Sequence, residues 1–68
     1  MIMAMVKIDR ETKERELLWT PDMNEIEPME EIEAALAHFG DEIVYGVNEN
    51  NEEYVTGKKF HIVFEQVG

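Results

Sequence analysis

Cysteine is absent from the chain, so neither a disulfide nor a thiolate metal site can staple the fold. At 68 residues that absence matters. A domain this small buries only about 60% of the surface its unfolded chain exposes, and secreted domains of such size usually carry staples. A cytoplasmic protein in a reducing compartment is therefore expected. Long hydrophobic runs are also missing, and nothing approaches the ~20 apolar residues of a membrane span. The opening run, Met1 to Val6, has no basic segment ahead of it and no small-x-small site behind it, so it does not read as a signal peptide. Repeats, linkers and low-complexity tracts are lacking too. Residues 1–68 read as one domain.

Positive charge is the scarcest commodity. Sixteen acids face six bases, for a net charge of −10. Such a surface repels nucleic-acid phosphates and anionic lipid alike, which excludes a direct nucleic-acid binder and a membrane-surface protein. The bases are segregated as well: Lys7, Arg10, Lys13 and Arg15 come early, Lys58 and Lys59 late. From Glu16 through Gly57 there are twelve acids and no lysine or arginine. Yet 44% of residues are hydrophobic, which separates the chain from disordered acidic tails.

The elements follow from hydrophobic period. Ile2, Ala4, Val6 and Ile8 alternate with Met3, Met5 and Lys7, the period of a strand. Leu17 and Trp19 share a face of a second strand, so residues 2–8 and 14–20 are expected to form a hairpin. Thr20-Pro21-Asp22 signals a turn or short helical segment at 21–26. The main helix is expected from Pro28, because a proline is tolerated at a first helical position and not in mid-helix. Met29, Ile32, Leu36 and Phe39 place one apolar stripe on it, and Gly40 stops it. Strands at 43–47, 53–56 and 59–65 follow, with Phe60, Ile62 and Phe64 on one face.

The fold class expected is α+β: a small twisted antiparallel sheet, ββαββ or with one further C-terminal strand, and one helix across one face. The helix stripe is expected to pack on Val6, Leu17, Trp19, Tyr45, Ile62 and Phe64. On that arrangement the face of Met1, Met3 and Met5 is left open to solvent.

No motif points to catalysis. Glycosidase-type carboxylate pairs need a sugar-sized cleft, for which one sheet and one helix leave little room. His38 sits where a histidine complements the helix C-terminus, and His61 lies opposite the phenylalanines; neither shows a metal-ligand spacing. The loop from Asn48 to Glu53 has acids and amides but lacks the glycine and spacing of a calcium loop. A non-enzymatic protein without cofactor or metal is expected.

What remains is the acidic tract. Glu30, Glu31 and Glu33 partly complement the positive end of the helix dipole. Asp41, Glu42 and the 49–53 turn have no such reason. Clustered carboxylates can stand in for closely spaced phosphates and occupy a basic groove. In size and charge the chain resembles small acidic inhibitors made by phages and mobile elements, although no motif ties it to a family. The expected function is a protein-binding domain whose acidic face docks on a basic partner, such as a nucleic-acid-handling enzyme. The residues expected to carry it are Glu27, Glu30, Glu31, Glu33, Asp41, Glu42, Glu49, Glu52 and Glu53, through steering and charge-assisted hydrogen bonds. The alternative is a structural or self-associating protein, a homodimer pairing through a sheet edge or the Met1/Met3/Met5 face.

Overall fold

The computed structural model describes residues 2–67. Its elements run β1 (Ile2–Asp9), β2 (Arg15–Trp19), α1 (Pro28–His38), β3 (Ile43–Val47), β4 (Glu53–Gly57) and β5 (Phe60–Val67). The fold is α+β, and the additional C-terminal strand is present. The antiparallel strands form two ladders, β2-β1-β5 and β3-β4, rather than one continuous sheet. Where β4 would meet β5, the Asp41 carboxylate takes the amides of Lys59 and Phe60 at 2.9–3.0 Å.

Helix α1 begins as its sequence dictates. Pro28 occupies the first turn, where a missing N–H costs nothing, and Glu30 and Glu31 lie in the first turn. It ends on Gly40 at φ +71°, with the Gly40 amide donating to Ala37 O and the Asp41 amide to Leu36 O. These are the two bonds of a Schellman motif, which turns the chain back along the helix into β3.

The core joins Met5, Ala35, Leu36, Val55 and Ile62, with Leu18, Met29, Ile32, Ile43, Phe60 and Phe64 packed around it. Met5 and Leu36 are fully buried. Each contributes ~1.5–3 kcal/mol of hydrophobic free energy by its burial.

The inward face of β1 differs from the one expected. Register pairs Met5 with Phe64 and Lys7 with Ile62, so the odd-numbered residues of β1 share the helix-facing side with the phenylalanine stripe of β5. Met5 is buried and Met3 half-buried, so the methionine face is not open; Met1 lies outside the described residues. Lys7 is accommodated there because its ammonium stands over the Phe39 and Phe60 rings, 4.1 and 4.5 Å from their centroids, and pairs with Glu16 at 3.2 Å.

Leu17 pairs with Val6 on the opposite side and is 56% exposed. The register slips between Met5 and Val6, so Leu18 is an extra residue in β2, and it is Leu18 that reaches the core. Trp19 and Tyr45 remain exposed. Ile62 and Phe64 pack as expected; Val6, Leu17, Trp19 and Tyr45 do not join this cluster.

The helix-free side is consequently the apolar side of β1. Ile2, Ala4, Val6 and Ile8 pair there with Val67, Glu65, Val63 and His61. Arg15 reaches across to Glu65 in an ion pair. From the register this pair runs diagonally over Val6, which is 6% exposed.

Candidate acidic docking site

Two ends of the molecule carry different charge. At one end the β1–β2 turn, the β4–β5 turn and the C-terminus of α1 converge. The Arg10 amide donates to Lys59 O, and the Arg10 guanidinium donates to Gly57 O at 2.9 Å and Thr56 Oγ1 at 2.5 Å. Arg10, Lys58 and Lys59 line one cleft with Asp9, Glu11 and Phe60. At the other end lie the start of α1 and the β3–β4 turn. Met29 of the helix, with Tyr45, Val47, Glu53 and Tyr54 of the hairpin, lines an open cleft of about 390 Å³.

The nine acids singled out from the sequence divide between these ends. Glu27 precedes the helix in extended geometry and makes no side-chain cap; its carbonyl accepts the Glu31 amide at 3.0 Å. Glu30 is exposed, and Glu31 and Glu33 are half-buried. The Glu33 carboxylate acting on the Tyr45 hydroxyl, with some desolvation, raises the phenol above its ordinary pKa. Glu49, Glu52 and Glu53 are exposed at the β3–β4 turn. That turn is shaped by Asn48, whose Oδ1 accepts the amides of Asn50 and Glu52, and by Asn51 at φ +63°. Among the described residues, none of these seven acids has a lysine, arginine or histidine within ion-pair distance.

Asp41 and Glu42 are at the other end. Asp41 is half-buried, and its oxygens accept the amides of Glu42, Lys59 and Phe60. Desolvation pushes its pKa up, but the amide bonds together outweigh that and hold it below the ordinary carboxylate value. Glu42 pairs with Lys58 at 2.8 Å, which raises the Lys58 pKa through the hydrogen bond and the opposite charge. Asp41 thus closes a turn, and Glu42 neutralises a base. The sequence held no local signal for either, because their partners lie 16 to 19 residues away.

Among the described residues no group of three His, Cys, Asp or Glu side chains is arranged to hold a metal ion, and no helix is long and apolar enough to cross a membrane. His61 lies beside Thr56 Oγ1 at 3.2 Å, and burial, then the Arg10 charge, lowers its pKa. Compared with known proteins, the chain matches no family model, no curated protein and no solved structure.

Seven carboxylates gathered at one end repel one another, and salt screens that repulsion over about 8 Å at physiological ionic strength. Thermal melts at pH 7 should show Tm rising as NaCl is increased. A Tm that falls with added salt would show the ion pairs outweighing the repulsion.

Proposed function

We propose that the chain is a non-enzymatic protein-binding domain whose acidic end docks on a basic surface of another protein. The partner class that fits is a nucleic-acid-handling enzyme, with the chain acting as an inhibitor of the phage or mobile-element type. Charge segregation carries this reading: Glu27, Glu30, Glu31, Glu33, Glu49, Glu52 and Glu53 collect at the helix start and hairpin turn without cationic partners, while Arg10, Lys58 and Lys59 sit at the far end. A field of one sign concentrated on one end steers association and orients it, which evenly scattered charge does not do. The cleft beside these acids offers Met29, Tyr45 and Val47, apolar surface on which the methylenes of a partner's lysine or arginine can lie. Asp41 and Glu42 contribute charge at the opposite end, and their carboxylates are occupied by the turn and by Lys58.

The test is capture of partners from the source cell on the immobilised chain, with Glu30→Lys/Glu49→Lys as control. Both residues are exposed and touch no cation, so the double variant should keep the wild-type circular dichroism and Tm. It should lose the partner. Added NaCl and added duplex DNA should both release the partner from the wild type. Equal recovery of the same partner by the folded variant would defeat the acidic-docking reading.

A further inference from the structure

The acids are not spread over the whole surface: one broad face has almost none. On the helix-free side of β2, β1 and β5, the strand positions assigned by register carry a single carboxylate, Glu65, and it is neutralised by Arg15. The same face continues onto the β3–β4 hairpin, since Thr56 Oγ1 touches both Arg10 and His61 Nδ1. There the alternation of β3 and β4 puts Val44 and Tyr54 on the outer side, with the Tyr54 ring lying over Gly46. Ile2 and Leu17 are 57% and 56% exposed on this face, and Val63 and Val67 are half-buried. A chain with sixteen acids therefore presents one sheet face of low net charge, with the Arg10 cation at its margin and apolar side chains exposed on either side of the buried Ala4 and Val6, and no helix to cover it.

We infer that this face is the contact surface of a homodimer, two copies packing sheet to sheet around a two-fold axis. Charge selects the occupant. A two-fold interface places a surface against itself, so a charged patch repels its own copy, while a neutral one does not. Each copy carries −10, and the helix start and the β3–β4 turn are acidic. The helix-free sheet face is where two such molecules approach with few opposing carboxylates, Glu65 being paired with Arg15 and Asp22 lying beside Ile2 at the margin. Packing there also removes exposed Ile2, Leu17 and Val44 from water, as sheet sandwiches do. The inference stands apart from the acidic-docking reading and does not depend on it. The two respond to salt in opposite directions: docking on a basic partner weakens with ionic strength, while the dimer tightens as salt screens the repulsion between two acidic copies.

Sedimentation equilibrium of the full chain tests it, run up to about 0.3 mM protein at low and high NaCl. The expected result is a reversible monomer–dimer equilibrium, with Kd of about 1–100 µM for a face of this modest size. Kd should fall as NaCl rises. Leu17→Glu should raise Kd at least about tenfold by setting carboxylates against each other across the interface. Circular dichroism and the dilute-solution Tm should stay at wild type, because Leu17 is mostly exposed. Ile2→Glu should act likewise. A chain that stays monomeric throughout overturns the inference, as does monomeric protein that floats with lipid vesicles, which would assign the face to a lipid surface. A dimer that survives Leu17→Glu/Ile2→Glu overturns it as well, because pairing would then run along a strand edge.

Discussion

Leu36→Ala should leave most of the protein unfolded at 37 °C. Leu36 is fully buried in the cluster with Met5, Val55 and Ile62, and it also fills the space beside Gly57, where an added Cβ would come within 2.7 Å of Leu36 Cδ2. Truncating such a residue removes transfer free energy and leaves a cavity, costing about 2–5 kcal/mol. A domain of this length has a total stability of only about 5 kcal/mol, so the loss consumes much or all of it. Urea titration followed by circular dichroism measures it directly. The matched control is Leu17→Ala, same chemistry on the other side of the sheet, which should change stability by no more than about 0.5 kcal/mol. If the two variants were equally destabilised, β2 would be packed with its opposite face inward.

That pair of leucines marks where sequence reasoning stopped. Strand, helix and turn were legible because each rests on local chemistry: period two in β1 and β5, the stripe of Met29, Ile32, Leu36 and Phe39, Pro28 at the helix start and Gly40 at its end. Choosing the inward face of β1 is a different problem. Both faces of β1 are apolar, Ile2/Ala4/Val6/Ile8 against Met3/Met5, and the charge of Lys7 on the methionine side argues for exposure of that side. Period two identifies a strand without saying which side is buried when both sides qualify. The decision was made by β5, whose Phe60, Ile62 and Phe64 must meet the helix and whose register then fixes Met5 inward. Lys7 follows because two aromatic rings and Glu16 receive its charge. The bulge at Leu18 compounds the difference, moving the inward residue of β2 by one position.

The candidate acidic site was legible to a similar depth. Composition located the base-free tract, and the helix dipole accounted for Glu30 and Glu31. Which acids stand together depends on the topology, since β3 runs back along the helix and carries the 49–53 turn to its N-terminal end, where Met29 and Val47 line one cleft. Asp41 and Glu42 go the other way for the same reason. A contiguous stretch of sequence, residues 27 to 42, is therefore split by its own helix into two sites with different electrostatics. One is a field of unpaired carboxylates. The other is a structural anchor.

The anchor gives the second large effect. Asp41→Ala removes the acceptor for the Lys59 and Phe60 amides, bonded at 3.0 and 2.9 Å, and leaves the exposed Lys59 donor and the part-buried Phe60 donor at the mouth of β4 and β5 without this partner. Loss of charge-assisted bonds of this kind costs about 1–3 kcal/mol. Asp41 has its folded pKa below the unfolded value near 3.8, as does Asp9, which accepts the Thr12 and Glu11 amides. A lowered pKa means the unfolded chain binds the proton more readily. The stabilisation is therefore fully present above the unfolded value and is lost as pH falls through the folded one. Stability of the wild type should drop below about pH 4, and the part of that drop due to Asp41 should vanish in Asp41→Ala. Gly57→Ala reaches the same anchor from the other side, because a Cβ at Gly57 would fall on the Asp41 carboxylate. The two substitutions should then be non-additive: once Asp41 is alanine, adding the methyl at residue 57 should cost markedly less than it does in the wild type. A double-mutant cycle in urea reads this coupling, and strictly additive losses would mean that the Asp41 carboxylate does not sit over Gly57.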